Sequence, residues 1–220
     1  MVWIKICGIT NLEDATGISR LGVNAIGFVL STNGPRRVKT ETAEEIIAVL
    51  RGSGIKVSTA GVFVNEKIER VIQCSDLLGL DYIQLSGDEE EDYIENLKEG
   101  SGKIKIIKAI RIKDNNKDQK DVIDEINDKI DKLKNYADFI LLDSYRKDIY
   151  GGTGVPLDWE MLKNYRSKIP VILSGGLDPE NVKRAVDTVE PFGVDASSGL
   201  EIYPGKKDLD KVAGFVDILG

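Results

Sequence analysis

The sequence contains no histidine, and only two of its 220 residues are cysteines, Cys7 and Cys74. Without histidine, neither a Ser-His nor a Cys-His nucleophilic pair can form. Two cysteines are too few for a disulfide framework, and they also exclude a cysteine-rich zinc site. Any catalytic chemistry must therefore use other residue types, or a cysteine acting without histidine.

An excess of basic residues and a long apolar run are also missing. The formal net charge is −7, which argues against a nucleic-acid binder, because such a protein needs a basic face to neutralise phosphates. No apolar stretch approaches the roughly 18 residues of a membrane span, and the N-terminus lacks the apolar region of a signal peptide. The sequence therefore predicts a cytoplasmic protein that binds neither nucleic acid nor membrane. Small anions remain possible ligands, because backbone amides can bind them locally.

What the sequence does contain is a regular alternation of two patterns. Short apolar runs typical of buried parallel strands cover residues 2–7, 24–30, 57–63, 81–85, 104–110, 138–143, 170–174 and 192–197. Amphipathic segments with helical spacing follow them, at roughly 11–21, 41–51, 66–78, 89–99, 119–134, 157–166, 179–188 and 208–219. Eight such pairs without a linker predict an α/β protein, a single (β/α)8 TIM barrel over residues 1–220. A doubly wound open sheet is the alternative.

Two residues at the ends of predicted strands could carry acid–base chemistry. Cys7 closes the first strand, where it is either a small buried hydrophobe or a reactive thiol. Asp143 closes the sixth strand, where it is either a turn cap or an acid or base. Catalytic residues of barrel enzymes lie at the carboxyl ends of the strands. Since three steps around a closed ring separate strands 1 and 6, these two side chains are expected to face each other across the barrel mouth.

The connections after the seventh and eighth strands favour a phosphate site. Gly175 and Gly176 follow strand 7, and the pair Ser197–Ser198 follows strand 8 after Asp195. These two loops form the usual phosphate site of a barrel, although a Gly-Gly pair is also an ordinary turn. Asp178 and the proline after it are predicted to begin the next helix.

Two further connections contain glycine, proline and arginine. Arg36 and Arg37 follow strand 2 and are either solvated or paired with an aromatic ring or a carboxylate. The sequence GGTG at 151–154 predicts a lid-forming segment and not a nucleotide P-loop, because Lys-Ser/Thr does not follow it.

Taken together, the motifs resemble those of the phosphoribosylanthranilate isomerase family, whose members are (β/α)8 enzymes of tryptophan biosynthesis. The resemblance spans essentially the whole chain and keeps the family's order. Its motifs are KICGIT (5–10), GFVL (27–30), PRRV (35–38), GVFVN (61–65), QLSGDE (84–89), LLDS (141–144), GGTG (151–154), LSGGLDPENV (173–182), DASSG (195–199) and PGKKD (204–208).

The resemblance implies an aldose–ketose (Amadori) rearrangement of a phosphosugar, N-(5-phospho-β-D-ribosyl)anthranilate, without metal or redox cofactor. It implies Cys7 as the general base and Asp143 as the general acid. Arg36 would bind the anthranilate moiety and Asp195 a sugar hydroxyl. The loops with Gly175–Gly176 and Ser197–Ser198 would bind the phosphate. The protein is expected to be a monomer or a homodimer.

One departure from the family pattern concerns the substrate site. Residues 84–87 read QLSG where the family usually has Gln-Leu-His-Gly, so Ser86 replaces a histidine. Two rival interpretations remain. Another phosphosugar barrel enzyme would show a lysine acid at a strand end, or an aspartate in place of Cys7. A non-catalytic phosphosugar-binding barrel would have lost the acid or the base.

Overall fold

Eight parallel strands close into one ring in the order β1 to β8, each hydrogen-bonded to its neighbours and β8 pairing with β1. This computed structural model describes residues 2–112, 119–144, 159–163 and 165–220. The strands are Trp3–Cys7 (β1), Ala25–Val29 (β2), Ser58–Phe63 (β3), Tyr82–Leu85 (β4), Lys105–Ile112 (β5), Phe139–Ser144 (β6), Val171–Leu173 (β7) and Gly193–Ala196 (β8). The predicted TIM barrel is confirmed, and the open sheet is excluded.

Seven α-helices lie in the described part of the chain. They are Leu12–Arg20 (α1), Thr40–Gly52 (α2), Ile68–Leu78 (α3), Glu91–Ser101 (α4), Gln119–Leu133 (α5), Val182–Val189 (α6) and Leu209–Leu219 (α7). Asn11 caps α1, because its side chain accepts a hydrogen bond from the backbone NH of Asp14. No helix among the described residues is long and apolar enough to cross a membrane.

Two local predictions differ from the structure. A helix was expected at 157–166, but its described residues form a short 3-10 helix at Trp159–Leu162. The helix after β7 was expected to begin with Asp178 as its cap. Instead, the Asp178 carboxylate accepts from the backbone NH groups of Glu180 and Asn181, which closes a turn, and α6 begins at Val182. The side chain of Asp178 satisfies these amides locally, so the helix starts three residues later. The GGTG lid prediction lies outside the described residues.

Side-chain alternation along the strands produces two separate cores. In β1, Ile4 and Ile6 point outward into the large core between sheet and helices. Trp3 points inward and packs with Tyr82 and Phe139, which closes the amino end of the barrel. The same alternation points every second side chain near the strand ends toward the barrel mouth. It therefore determines which polar groups can meet there.

A small antiparallel hairpin follows β8 and was not predicted. Its strands are Glu201–Tyr203 (β9) and Lys206–Lys207 (β10). The turn between them contains Gly205, whose φ of 90° suits glycine. The hairpin is tied to α1 because the Lys207 backbone NH donates to the buried carboxylate of Asp14 at 2.8 Å. It thereby places the side chain of Lys207 inside the protein.

Candidate active site

A cavity opens at the carboxyl end of the barrel, where the predicted acid–base residues meet. It contains about 580 Å³ of empty space, part of it open to solvent. Of the eight predicted site residues, five line it: Cys7, Arg36, Asp143, Asp195 and Ser197. The expectation that strands 1 and 6 contribute to one mouth is therefore confirmed.

Cys7 is the last residue of β1 and is only 7% exposed. Burial raises the pKa of its thiol, the ammonium groups of Lys5 and Lys207 oppose that rise, and the Asp195 carboxylate adds to it. The thiol is therefore not an unusually acidic one, and its ionisation depends on the two lysines.

The glycine that follows Cys7 is favoured by its backbone conformation and by close packing. Gly8 has a φ of 80°, and a Cβ there would lie 3.0 Å from Cδ of Arg36 and 3.1 Å from Oγ of Ser197. The absence of a side chain thus lets Arg36 and Ser197 approach the end of β1 from two sides. Ser197 Oγ also donates a hydrogen bond to the Cys7 carbonyl oxygen at 3.0 Å.

Arg36 lies in the loop between β2 and α2 and is paired with a carboxylate. Its Nε and Nη2 donate to the two carboxylate oxygens of Glu201, at 2.9 and 2.7 Å. Such a two-point contact fixes the plane of the guanidinium. Lys207 Nζ donates to the same carboxylate at 3.0 Å and to the Ser197 carbonyl oxygen at 3.0 Å. Glu201 thus connects Arg36 to the loop after β8.

The contacts among Arg36, Glu201 and Lys207 change the pKa values of Glu201 and Lys207. Burial alone would raise the pKa of Glu201, but the hydrogen bonds from Arg36 and Lys207 outweigh it and lower the pKa. Burial lowers the pKa of Lys207, and the Glu201 carboxylate limits that effect. The pairing keeps a carboxylate and two cations together in a largely buried position.

Asp195 is held by a lysine that the sequence interpretation did not assign. Lys5 and Asp195 are register partners in β1 and β8, and Lys5 Nζ lies 2.8 Å from Asp195 Oδ1. Burial raises the pKa of Asp195, and the Lys5 ammonium opposes this rise. The other carboxylate oxygen of Asp195, Oδ2, accepts no hydrogen bond from the described residues and remains available to a ligand hydroxyl.

The predicted phosphate loops lie side by side next to the cavity. Gly175 and Gly176 have φ values of 96° and 67°, which favour glycine. A Cβ on Gly199 would lie 2.2 Å from the Leu177 carbonyl oxygen, so the two loops are in direct contact. Ser174 and Ser197 line the cavity, whereas Gly175, Gly176 and Ser198 lie beside it.

Ser86, which stands where the family usually has histidine, belongs to a polar pair in the cavity wall. Gln84 Nε2 donates to Ser86 Oγ at 3.1 Å, and both residues line the cavity. Gln84 is 4% exposed, and its Oε1 has no hydrogen-bond partner in the described part of the chain. A buried acceptor without a donor is unfavourable, so a ligand donor at this position would satisfy it.

Comparison with known proteins places this chain in a family. A family model described as N-(5'-phosphoribosyl)anthranilate (PRA) isomerase matches residues 4–218. The chain belongs to this isomerase family. The family's enzyme from Rubrobacter xylanophilus is 42% identical over 218 residues, covering 98% of each chain.

Solved structures of the family have the same fold. The phosphoribosylanthranilate isomerase of Thermotoga maritima aligns with a TM-score of 0.82 and 35% identity, over 99% of this chain and 98% of that one. A phosphoribosylanthranilate isomerase in complex with reduced 1-(o-carboxyphenylamino)-1-deoxyribulose 5-phosphate aligns with a TM-score of 0.77 and 34% identity. It covers 99% of this chain and 97% of the other.

The sequence interpretation gave no role to four residues of the site: Lys5, Gln84, Glu201 and Lys207. Lys5 carried a usable signal, because it interrupts an apolar strand two residues before Cys7 and must share its face. Lys207 belongs to the quoted PGKKD motif, but only the unpredicted hairpin turns it inward. Glu201 carried no local signal, since its partners are Arg36, distant in sequence, and Lys207 across the hairpin.

Proposed function

We propose that the protein isomerises N-(5-phospho-β-D-ribosyl)anthranilate to 1-(2-carboxyphenylamino)-1-deoxy-D-ribulose 5-phosphate. One observation carries this proposal. A thiol and a carboxyl group, Cys7 and Asp143, line one cavity at the catalytic end of a barrel that matches the isomerase family over residues 4–218. The reaction only moves protons and opens a ring, so it needs neither a metal nor a redox cofactor.

Asp143 would act as the general acid and Cys7 as the general base. The Asp143 carboxyl gives its proton to the furanose ring oxygen, and the ring opens to an iminium. The Cys7 thiolate then takes the proton from C2, which leaves an enolamine that becomes the ketone. The enzyme gives one proton and takes one, so the product is an isomer of the substrate.

The remaining polar groups would hold the two ends of the substrate. Arg36, oriented by Glu201, would bind the anthranilate carboxylate as a planar cation. Asp195 Oδ2 would accept a hydrogen bond from a sugar hydroxyl. The backbone amides of the loops containing Gly175–Gly176 and Ser197–Ser198 would bind the phosphate, because glycines permit close approach of the backbone.

A coupled assay tests this function. Phosphoribosylanthranilate generated enzymatically in the cuvette should be consumed by the purified protein, seen as loss of anthranilate-type fluorescence. Cys7→Ser protein of the same purity is the control for a contaminating isomerase. A folded wild-type protein that binds the phosphosugar but does not increase the rate over the control would overturn the proposal. Cytoplasmic location and a monomeric or homodimeric state remain predictions.

A further inference from the structure

Lys5 is a fully buried charged residue in the interior of the barrel. Its exposed fraction is 0%, and it lies one inward-facing position below Cys7 on β1. Its ammonium forms an ion pair with Asp195 at 2.8 Å. A charge in this position is costly unless it is paired, so its presence calls for an explanation beyond packing.

The Lys5 ammonium and the Cys7 sulfur both lie against a glycine of the neighbouring strand. Gly27 of β2 is the register partner of Cys7. A Cβ on Gly27 would lie 3.0 Å from Cys7 Sγ and 3.2 Å from Lys5 Nζ. A side chain at this position would press on both groups, so the glycine leaves room for the cation and the sulfur beside β2.

Charged side chains from several elements surround the thiol. Five charged groups face Cys7 or adjoin its immediate partners: Lys5 on β1, Asp195 on β8, Glu201 on β9, Lys207 on β10 and Arg36 from the β2–α2 loop. In their ordinary ionised forms these are three cations and two anions. Asp143 faces the group from β6 across the cavity. Lys5 and Lys207 both oppose the rise in the pKa of Cys7, and Lys5 does so more strongly.

A second buried lysine shows what a purely structural pair looks like. Lys108 Nζ lies 2.8 Å from Glu89 Oε2 and also donates to the Gly87 carbonyl oxygen. Lys108 alternates with the inward-facing Ile107 and Ala109 on β5, so it points away from the barrel interior. It fixes a loop, whereas Lys5 faces the thiol.

We propose that Lys5 is a positioning residue for the reaction: Asp195 holds its ammonium beside Cys7, where it stabilises the thiolate that removes the substrate's C2 proton. This inference rests on the proposed function of Cys7 as base. When the thiolate takes that proton it becomes a neutral thiol, and Lys5 keeps its own proton throughout. Burial on its own would lower the pKa of Lys5, but Asp195 and Cys7 outweigh it and raise the pKa, which is consistent with a permanent cation.

The test measures ionisation of Cys7 in the free protein. The rate of alkylation by iodoacetamide is followed from pH 6 to 11, and mass spectrometry assigns the label to Cys7 rather than Cys74. We expect Lys5→Met to raise the midpoint by at least about one pH unit, since a nearby opposite charge typically shifts a pKa by 1–3 units. Asp195→Asn should lower the midpoint, because it removes an anion. Lys108→Met, a matched buried lysine, should leave the midpoint unchanged.

The expected midpoint shifts of opposite sign in Lys5→Met and Asp195→Asn distinguish this role from a purely structural one. If the ion pair only supported the fold, Lys5→Met and Asp195→Asn would disturb Cys7 alike, and shifts of the same sign would overturn the inference. An unchanged midpoint in Lys5→Met would do the same. If Lys5→Met does not fold, the double variant Lys5→Met/Asp195→Asn removes both charges and should still raise the midpoint, because Lys5 has the stronger influence on Cys7.

Activity assays on the same variants separate this inference from the proposed function. In Lys5→Met, kcat should fall more than tenfold at pH 7 and recover in part at higher pH, as the thiolate forms there. A wild-type protein without isomerase activity would refute the function while leaving the alkylation result intact. An active wild type whose Lys5→Met variant keeps its pH profile would refute this inference alone.

Discussion

Glu201 accepts two hydrogen bonds from the guanidinium of Arg36, at 2.9 and 2.7 Å, and a third from Lys207. Both partners of the Arg36–Glu201 pair lie outside the eight barrel strands. The pair therefore makes the orientation of a proposed substrate-binding arginine depend on the hairpin at the far end of the chain.

Glu201→Gln tests whether this orientation matters for binding. The amide keeps the shape but cannot accept from both cations as a carboxylate does, so Arg36 should lose its fixed plane. We expect KM for the phosphosugar to rise at least about tenfold, about 1.4 kcal/mol, with a smaller change in kcat. The exposed Glu44→Gln is the control. Equal KM values in the two variants would show that Glu201 does not position Arg36.

The same carboxylate should contribute to stability in a defined pH range. Because its pKa is lowered in the folded protein, its contribution is present above the unfolded value, about 4.3, and is lost as the pH falls through the folded pKa. Urea unfolding should therefore show the difference in unfolding free energy between wild type and Glu201→Gln shrinking below about pH 4.3. A difference that stays constant down to pH 2 would contradict this assignment.

Removal of the proposed base or acid should abolish most turnover. We expect Cys7→Ser and Asp143→Asn each to lower kcat by at least about 10²-fold with KM little altered and circular dichroism unchanged. If Cys7→Ser keeps more than about a third of kcat, far above what loss of a general base allows, the thiol serves packing only.

The pH profile should show the requirement for a Cys7 thiolate. Proton removal from C2 needs the thiolate, and burial raises the pKa of the thiol, so we expect kcat/KM of the wild type to rise as the pH increases and the thiolate forms. Cys7→Ser cannot form a thiolate and should lose this rise from its residual activity. A residual profile that still rises over the same pH range would show that another group is the base.

Gly175→Val tests the phosphate site. A side chain there would occupy the proposed place of the anion, and the φ of 96° adds backbone strain. We expect a large rise in KM. Gly22→Val is a matched control, because Gly22 has a φ of 85° and open space around its Cβ position. It lies between α1 and β2, at the opposite end of the barrel from the phosphate loops. If both variants lose the same stability and neither changes KM, the anion binds elsewhere.

Ser86→His restores the residue that the family usually has. Ser86 contacts Gln84 in the cavity wall, away from the Cys7 side of the mouth. We expect kcat/KM to change by less than about tenfold, roughly 1.4 kcal/mol of transition-state energy. A gain of about a hundredfold, twice that energy, would mean that this protein is an impaired or repurposed member of the family.

The periodicity of the sequence predicted the barrel because strand and helix patterns depend on neighbouring residues. Cys7 and Asp143 could be placed at the mouth for the same reason, as each ends an apolar run. The residues that form ion pairs in the site could not be predicted in this way. Lys5–Asp195 and Arg36–Glu201 join residues separated by 190 and 165 positions, and only ring closure brings them together. The start of α6 was also predicted too early, because side-chain hydrogen bonds of Asp178 form a turn before the helix begins.

The pairing of β1 with β8 also has a consequence for how the protein folds. Cys7 and Lys5 are made first during synthesis, whereas Asp195, Glu201 and Lys207 are made last. Parallel pairing across such a sequence distance is a slow event, because the loop entropy is lost before contacts compensate for it. A chain with seven strands assembled would hold the thiol and Asp143 on one open sheet, yet lack every charge contributed by β8 and the hairpin. Enzymatic activity should therefore appear only after β8 has paired with β1. The recovery of activity during refolding should then report the rate at which the barrel closes.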